Sequence, residues 1–513
     1  MAEYNLYKKI IKNIKSNVNK TAIINDCGDK ISYNDMKNSV ENLSYNLLNN
    51  IKYKNPKLLI LLDNSEFLVY LLLACSKLHI LNSPINASLK IDQIYKICEL
   101  IKFTHIITAK KNYLTSRIKN NLNIRIIFIE DLLSENKLFK QNQKNYYKLK
   151  DDFIITFSSG STGSPKPILL TQKIKIKRAQ HAIEIYKIKK KDIIICPSPI
   201  HHSLGQRLVF VSLLNFSTLV LMKNFNPIRW ENNVYKYKVT IAIMISSQIS
   251  LIVKKLINSN KFSSIKCLIA SSSSINSITK EKIINKYKNI FHEMYGTAEL
   301  STVSHLKPSQ SVYKKKSVGK ICSNAKVVIL DKKFNKVSNY KIGQIACYTP
   351  LLFKKYFYND KLTSKSFFKG FFLTGDLGFI DDDNYLFFSS REKDVIITSG
   401  VNIYPSDIET EILKNKFVKE CMVIGINDKY FGEAILAVCL INNLNNSEKI
   451  KNALKKNILK NLASFQQPLD YKFIDKFQYL PSGKINKIFY KDYYNSLNLD
   501  LSYKLRSLMG IKI

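Results

Sequence analysis

The sequence predicts an α/β fold, because short apolar runs alternate with amphipathic stretches over residues 1 to about 150. The apolar run Leu58–Leu62 is typical of a buried strand, and Glu66–Leu78 has the length and pattern of a helix. The runs His105–Thr108 and Ile124–Ile129 predict two further strands. Strands and helices in this alternation favour an α/β sheet.

Size and composition favour a large folded protein with more than one domain. Of the 513 residues, 45% are hydrophobic, which is ample for a large core. Charged residues make up 23%, so the composition is not that of a disordered chain.

The chain is strongly basic, with a net charge of +41 from 80 Lys and Arg against 39 Asp and Glu. A nucleic-acid-binding protein is therefore one hypothesis. The lysines are spread over the whole chain rather than clustered, and abundant Ile and Asn accompany them, as expected from an AT-rich genome. The positive field would still attract polyanionic small molecules such as nucleotides and coenzyme A.

Cysteines and apolar runs predict a cytoplasmic protein. The nine cysteines contain no CxxC pair, and the chain is neither small nor cysteine-dense as disulfide scaffolds are. The first 17 residues lack the apolar core of a signal peptide. The longest strongly apolar run, Phe67–Cys75, is far shorter than the roughly 20 residues of a membrane span. Peripheral membrane contact stays open.

Residues Phe157–Thr171, FSSGSTGSPKPILLT, follow a strand-like run and have the composition of a phosphate-binding loop. Small residues let backbone N–H groups turn toward an anion, hydroxyls add donors, and Lys166 supplies charge. The segment is not a Walker A loop, because GxxxxGK[ST] is absent and Pro167 follows the lysine. Seen alone, it could equally be a surface loop rich in Ser and Gly.

Three further segments place polar residues just after predicted strands. The segment IIICPSPIHHSLG ends a buried strand and continues into His201 and His202. Adjacent histidines point apart and no third ligand is evident, so a pocket-lining or structural role is favoured over a metal site. The strand Cys267–Ala270 runs into four serines, and FHEMYGTAEL carries Tyr295 beside a glycine.

The C-terminal part carries two longer motifs. GFFLTGDLGFIDDDNYL contains Asp376 in a Thr-Gly-Asp turn, and REKDVIITSGVNIYPSDIE predicts the strand Asp394–Thr398, a loop at Gly400 and a helix from Pro405. Beyond them, residues 422–440 predict two strands joined by a charged turn. A helical stretch at residues 447–462 follows, and the final SGK turn places Lys484 at the tip of a loop.

Taken in order, these motifs resemble the adenylate-forming, AMP-binding superfamily, and the chain looks like its acyl-CoA synthetases. The motifs are SSGSTGSPK, PIHHSLG, YGTAE, TGD, REKD with SGVNIYP, and PSGK. The opening segment TAIINDCGDKISYNDM also resembles that family's first hairpin and helix. Peptide-synthetase adenylation domains and luciferases belong to the same superfamily.

The resemblance implies an architecture. A large N-terminal AMP-binding domain of α/β subdomains would comprise residues 1–390, and a small mobile α+β lid domain would comprise residues 391–513. Lys393 occupies the hinge position. In one pose the lid would present Lys484 to the site, and in the other it would turn the Gly400 loop inward to form a tunnel for the pantetheine thiol.

The resemblance also implies a reaction and its cofactors, ATP, Mg²⁺ and coenzyme A. A carboxylate attacks the α-phosphate of MgATP, giving an acyl adenylate and pyrophosphate, and a thiol then displaces AMP. Bringing two anions together requires preorganised donors and cations. The implied ATP-binding residues are Ser158, Ser159, Gly160, Ser161, Thr162, Gly163, Lys166, Ser271, Ser272, Ser273, Tyr295, Gly296, Asp376 and Arg391.

Individual roles follow from the same resemblance. Lys484 would bridge the substrate carboxylate and the α-phosphate, whereas Lys166 would mainly orient pyrophosphate. Thr297 would lie near the α-phosphate, and Glu299 would bind Mg²⁺. His202 matches the acyl-pocket histidine. Tyr295 would stack on adenine, with Ser271–Ser273 on the other side of the ring, and Asp376 and Arg391 would contact the ribose.

The sequence departs from the family pattern at several positions without removing these groups. Pro167 stands where a glycine is usual, which stiffens the loop exit and removes an N–H. Ala298 replaces a common threonine, the segment Ser271–Ser274 replaces a glycine-rich one, and Asn384 replaces a glycine in a turn. Asparagine also tolerates a positive φ.

The substrate and the acceptor stay open between several hypotheses. Amino-acid-activating members hold the ammonium with an Asp in the segment matching Pro199–Gly205, and none occurs here, so a neutral carboxylic acid is expected. An acyl-CoA synthetase, with a place in fatty acid metabolism, is the first hypothesis. A free-standing ligase that loads an acyl carrier protein is the second, but the long insertion ahead of the hinge that would favour it is absent. The third, a nucleic-acid-binding protein, lacks a dense basic stripe and a recognisable module.

Overall fold

The computed structural model of the chain describes residues 4–12, 14, 17–110, 124–134, 151–158, 166–272, 275, 277–287, 289–441, 444, 447–480, 484–497, 499 and 501. Within these residues, strands and helices form four sheets with helices packed against them, which confirms the α/β class.

The largest sheet has nine strands in the described part of the chain. Its inner strands run parallel, and antiparallel strands close both edges. In spatial order the strands are Lys320–Ile321, Ser301–Leu306, Phe291–Thr297, Cys267–Ser271, Ile241–Ile245, Ile193–Cys196, Thr218–Leu221, Thr21–Ile24 and Lys30–Ser32.

A second sheet contains the strands on both sides of the predicted phosphate loop. The strands Asp152–Phe157 and Pro167–Thr171 pair antiparallel there. In spatial order its described strands are Lys355–Tyr356, Pro167–Thr171, Asp152–Phe157, Leu81–Pro84, Lys57–Leu61, His105–Thr108 and Arg125–Phe128. Pro167 is the first residue of its strand, a position where a missing N–H is tolerated.

Two smaller sheets follow in the chain. One is formed by Lys326–Leu330, Gly343–Tyr348, Phe371–Ile380 and Phe367–Phe368, with Leu386–Arg391 paired to Phe371–Ile380. The other, here called the lid sheet, is formed by Val401–Ile403, Ile396–Thr398, Gly432–Ile441 and Val418–Asp428, with Asp470–Ile474 paired to Gly432–Ile441. The chain therefore changes sheets between residues 391 and 396.

Helices cover these sheets. They are Leu6–Ile11, Tyr33–Asn50, Glu66–Leu78, Ile91–Ile101, Ile129–Ser134, Gln172–Ile185, Ser203–Leu214, Pro227–Tyr237, Ser246–Asn258, Ser277–Tyr287, Pro308–Ser311, Asp360–Lys365, Pro405–Ile412, Ser447–Asn461 and Lys487–Ser496. Short 3-10 turns occupy Glu392–Asp394 and Ser464–Gln466.

The helix Glu66–Leu78 shows how local signals set an element. The side chain of Ser65 caps it by accepting a hydrogen bond from the N–H of Leu68 at 3.3 Å, and His79 ends it in the left-handed region at φ +57°. Residues 68–76 and Leu78 are buried. The largest hydrophobic cluster contains them together with residues of both large sheets and of the helix Ser203–Leu214, so the main core lies between those two sheets.

Most predicted elements agree with the structure to within one or two residues, but the first of the two strands predicted within residues 422–440 begins four residues earlier, at Val418. The strand expected at Asp394–Thr398 is shorter, because a 3-10 turn takes up Glu392–Asp394. The opening hairpin and helix are also present. Asn384 adopts φ +62°, as its replacement of a turn glycine requires. The apolar segments Leu208–Leu214 and Ile241–Ile245 lie largely in the hydrophobic core.

Candidate active site

The strand Phe291–Thr297 brings Tyr295 and Gly296 to the carboxyl-terminal edge of the nine-stranded sheet. A bulge lies between these two residues where the strand pairs with Ser301–Leu306. A Cβ atom on Gly296 would lie 1.7 Å from the carbonyl oxygen of Ser301, so only glycine fits there. Ser271 ends the neighbouring parallel strand at the same edge. Ligands of open α/β sheets bind beyond this edge.

Tyr295, Asp376 and Arg391 form one connected group. The hydroxyl of Tyr295 donates to Oδ2 of Asp376 at 2.8 Å, and Nε of Arg391 lies 3.1 Å from Oδ1 of Asp376. Asp376 and Arg391 face each other across paired strands. The sequence predicted these residues for one nucleotide site, and the structure brings them together.

Asp376 is a buried hydrogen-bond acceptor that can accept a further hydrogen bond. Its carboxylate is only 3% exposed, and Oδ1 accepts no hydrogen bond from the described residues, although it is close to Arg391. Burial raises the pKa of Asp376, whereas Arg391 and the hydrogen bond from Tyr295 oppose that rise. An oxygen held in this way is suited to accept a hydrogen bond from a hydroxyl group of a ligand.

Lys484 reaches this group from the C-terminal part of the chain. It lies within electrostatic reach of Asp376, Arg391 and Asp394. A backbone hydrogen bond of 2.8 Å from the N–H of Leu480 to the carbonyl of Lys484 joins the two sides of its turn. Burial first, and then the charge of Arg391, lower the pKa of Lys484 to about 8. The ammonium is therefore a cation at neutral pH that is poised to lose its proton.

Glu299 lies in a separate part of the site, bound to Tyr356. The hydroxyl of Tyr356 donates to Oε1 of Glu299 at 2.8 Å, and both side chains are buried. The ammonium of Lys166 lies 5.6 Å from the centre of the Tyr356 ring. Tyr356 therefore connects the predicted metal-binding carboxylate with the exit of the predicted phosphate loop.

The backbone around Glu299 is held by Arg178. The guanidinium of this buried arginine donates to the carbonyl oxygens of Leu351 and Ala298, both at 2.8 Å, and to that of Glu299. Thr297 accepts a hydrogen bond from the N–H of Leu300 at 3.3 Å. Arg178 and this local hydrogen bond together hold the segment that carries two of the three predicted catalytic residues, Thr297 and Glu299.

His202 caps the helix Ser203–Leu214 with its backbone. Gly205 lets that helix approach closely, because a Cβ atom there would lie 2.2 Å from the carbonyl oxygen of Pro199. Burial, and then the charge of Lys484, lower the pKa of His202 to about 4, so its imidazole is neutral at pH 7. Its Nε2 atom is buried without a hydrogen-bond partner in the described part of the chain.

The histidine segment is clamped by Asn64. The side chain of Asn64 donates to the carbonyl oxygens of Ser198 and Met222 at 3.0 and 3.1 Å, and accepts from the N–H of Ile200 at 2.8 Å. Among the described residues, no group of three or more His, Cys, Asp or Glu side chains is arranged to hold a metal ion.

The predicted phosphate loop lies largely outside the described residues. Ser159, Gly160, Ser161, Thr162 and Gly163 fall there, as does Ser273 on the adenine side. The two ends of the loop are described, and the N–H of Ser158 donates to the carbonyl of Lys166 at 3.1 Å.

On the adenine side, two of the three predicted serines are described. Ser271 is buried and its hydroxyl lies 3.1 Å from that of Ser272, which adopts φ +71°. This backbone conformation explains why glycine is common in this segment of the family.

Lys393 and Gly400 lie on either side of the first lid strand. Lys393 is exposed within the 3-10 turn that joins the last strand of the preceding sheet to the lid sheet. Ser399 and Gly400, at φ +48° and +79°, form the turn of an exposed hairpin. The structure thus places Lys484 at the site and leaves Gly400 on the lid surface.

Sequence reasoning missed the residues that support the site. Tyr356, Arg178 and Asn64 belong to no motif, and each reaches its partner over a long separation in sequence. One sequence signal could have found such a residue, namely a charged side chain among apolar residues on one face of a helix. Of these three residues only Arg178 shows it, because it lies between the buried residues Ile176 and Ala179.

The described helices include none with the length and apolar character of a membrane span.

Comparison with known proteins gives consistent matches along the chain. Residues 11–357 match the family described as AMP-binding enzyme, and residues 407–484 match the AMP-binding enzyme C-terminal domain. The 2-succinylbenzoate–CoA ligase of Bacillus pumilus is 26% identical over 470 residues, covering 90% of this chain and 92% of that protein.

Solved structures share the fold. ATP-bound MatB from Rhodopseudomonas palustris superposes with a TM-score of 0.87 at 21% identity, covering 96% of this chain and 99% of that one. The o-succinylbenzoate CoA synthetase MenE from Bacillus subtilis, in complex with its acyl-adenylate intermediate, superposes with a TM-score of 0.85 at 21% identity, covering 95% and 98%.

Proposed function

Since this chain belongs to the AMP-binding enzyme family, we infer that it is an AMP-forming ligase of the acyl-CoA synthetase kind, which activates a carboxylic acid with ATP and transfers the acyl group to a thiol. The observation that carries this function is the convergence of Tyr295, Asp376 and Arg391 with Lys484, which comes from a distant part of the chain. A site that binds a nucleotide next to a carboxylate requires a hydrogen-bond acceptor for the ribose hydroxyls. It also requires a cation nearby to offset the negative charges of the phosphate and the carboxylate.

In the first half-reaction, an oxygen of the substrate carboxylate attacks the α-phosphorus of ATP, and the bond to the β-phosphate oxygen breaks. Lys484 reduces the repulsion between the carboxylate and the α-phosphate by placing its ammonium between them. Asp376 accepts hydrogen bonds from the ribose, with Arg391 beside it, and Tyr295 packs on adenine with Ser271 and Ser272. The connected arrangement of Tyr295, Asp376 and Arg391, in which Tyr295 and Asp376 are buried, supports these roles.

The residues around the triphosphate have supporting roles in the proposal. Thr297 would lie near the α-phosphate. The phosphate site would be formed by residues 158–163, Gly296 and Lys166. Glu299 fits a Mg²⁺ ion, because a single carboxylate together with phosphate oxygens and water is a usual magnesium environment. The ion would supply charge neutralisation at the phosphates. The hydrogen bond from Tyr356 leaves the second oxygen of Glu299 for this purpose.

In the second half-reaction, a thiol sulfur attacks the carbonyl carbon of the adenylate, and AMP leaves.

We propose residues 1–390 as the AMP-binding domain and residues 391–513 as the lid. The change of sheet between residues 391 and 396 supports a hinge at Lys393. Rotation there would withdraw Lys484 and bring the Gly400 hairpin to the thiol tunnel.

Coenzyme A is the proposed acceptor, in keeping with the CoA ligases among the relatives. A carrier protein has no comparable support. The proposed substrate is a carboxylic acid without an ammonium group, and His202 lies at its pocket. We also propose a cytoplasmic location, which the nine free cysteines support. A place in fatty acid metabolism stays a prediction.

The deciding experiment is ATP–pyrophosphate exchange across a panel of carboxylic acids, followed by addition of coenzyme A or a carrier protein. We expect exchange with at least one acid and thioester formation with coenzyme A. Lys476, exposed on the same lid, provides a matched control, because Lys476→Ala should retain the exchange that Lys484→Ala loses. Absence of exchange with every acid would refute the function.

A further inference from the structure

A small cavity behind the site is lined by three cationic side chains. Lys175, Arg178 and Arg207 share it with Ala179, Ser203 and Phe210. Lys175 and Arg178 lie on the buried face of the helix Gln172–Ile185, together with Gln172 and the apolar residues Ile176, Ala179 and Ala182. Arg207 lies on the facing helix Ser203–Leu214. Lys175 and Arg178 are each only 4% exposed. Charged side chains are rarely so buried unless they are paired.

These cations contact only neutral acceptors among the described residues. Lys175 donates to the amide oxygen of Gln206. Arg207 donates to the hydroxyls of Thr302 and Ser301 at 3.2 and 3.1 Å, and to the sulfur of Met294 at 3.2 Å. Arg178 donates to the three carbonyl oxygens named above. The nearby acid is Glu299, which acts on Arg178 electrostatically.

Such a group of cations is unfavourable unless an anion joins it. Removing an ion from water costs several kcal/mol in order of magnitude, and like charges add to that penalty. Burial, together with the charges of Arg178 and Arg207, holds the pKa of Lys175 well below its usual value. A negative group in this cavity would favour the charged form of Lys175 and would lie beside the guanidinium groups of Arg178 and Arg207.

The position of the cavity relates it to the acyl site. Ser203, on its wall, directly follows His202, and His202 is within electrostatic reach of Lys484. Arg207 contacts Met294, the residue before Tyr295. These contacts place the cavity next to the residue assigned to the acyl pocket and next to the strand that carries Tyr295.

We propose, building on the ligase function, that the substrate carries a second anionic group, a distal carboxylate, which Arg207, Lys175 and Arg178 bind in this cavity. The cavity volume of about 10 Å³ is close to that needed by one water molecule, so it admits a carboxylate oxygen rather than a whole phosphate group. This replaces the neutral acid expected from the sequence with a dicarboxylic acid. An amino acid is disfavoured further, since an ammonium group would be repelled.

The test compares monocarboxylic acids with dicarboxylic acids of the same carbon skeleton, both aliphatic and aromatic, in ATP–pyrophosphate exchange. Wild-type enzyme should prefer one dicarboxylate by roughly 10- to 100-fold in kcat/KM, the range given by a hydrogen bond to a charged group. Arg207→Met should reduce this preference toward one, and Arg207→Lys should restore part of it.

Arg229→Met serves as the control, because Arg229 is an exposed arginine paired with Asp26. The preference of this variant should equal that of the wild type. Equal use of both acids by the wild type, a result that requires no variant to fold, would overturn the proposal and leave the ligase function standing. Exchange with no acid at all would instead refute the ligase function. A preference that survives Arg207→Met and Lys175→Met would show that the cavity holds only structural water.

Discussion

Adenylate formation is expected to weaken as pH rises through about 8, because Lys484 then loses its proton. The ammonium acts as a cation, so the protonated form is the active one, and it predominates below the pKa. With a pKa of about 8, about 90% of Lys484 is charged at pH 7 and about 10% at pH 9. The rate of the first half-reaction should therefore fall about 10-fold over that interval.

Two substitutions separate the charge of Lys484 from its other effects. Lys484→Ala removes the cation and should lower adenylate formation by roughly 100-fold or more, which is typical for loss of a group that stabilises transferred charge. Lys484→Arg stays charged at every accessible pH, so its rate, although lower, should not decline between pH 7 and 9. Lys476→Ala should behave as the wild type does.

The assay is pyrophosphate release in a single turnover with saturating ATP and acid. Thioester formation from a preformed adenylate measures the second half-reaction separately. Lys484→Ala should spare this second step, because the lid then presents a different face. A wild-type rate that is constant between pH 7 and 9, or equal losses in both half-reactions, would refute the role of Lys484.

Three further predictions concern the residues around it. Tyr295→Phe removes the hydroxyl that donates to Asp376 and should raise KM for ATP roughly 10-fold or more, and an unchanged KM would contradict the network. Glu299→Gln removes a charge and should raise the Mg²⁺ concentration for half-maximal activity about 10-fold, as a magnesium titration would measure, whereas an unaltered titration would exclude Glu299 as a ligand. Asn64→Ala loses three buried hydrogen bonds and should lower the free energy of unfolding by about 3 kcal/mol in urea titrations. The exposed Asn339→Ala should change it by less than about 0.5 kcal/mol, and equal losses in the two variants would refute the clamp.

Elements whose signals are local could be predicted well. The helix Glu66–Leu78 has its serine cap and its apolar face within its own sequence, so its bounds could be read directly. Tyr295 and Asp376 could also be identified from the local sequence, because each lies in a short motif at a strand end or turn. The sequence also predicted that these two side chains serve one nucleotide, although it gave no geometry for their contact.

Contacts between distant segments could not be predicted. Asn64 clamps Ser198 across 134 positions, and Tyr356 binds Glu299 across 57. Neither residue has a neighbour in sequence that indicates its partner, because the pairing depends on which strands lie together in the sheets. Hydrogen-bond partners of this kind are set by packing.

By itself, the sequence determined the α/β class and the family, and it predicted the residues that would meet the nucleotide, since small motifs fix local backbone and chemistry. The sequence also predicted Lys484 as the adenylating lysine, but only the tertiary structure showed that it lies near Asp376 and Arg391, and what lies behind that group. The cations Lys175 and Arg207 come from two helices and look like ordinary exposed charges in a basic chain of net charge +41. Packing of those helices brings both side chains to one cavity and buries Lys175, and a cation held away from water in this way is the basis of the proposed anion site.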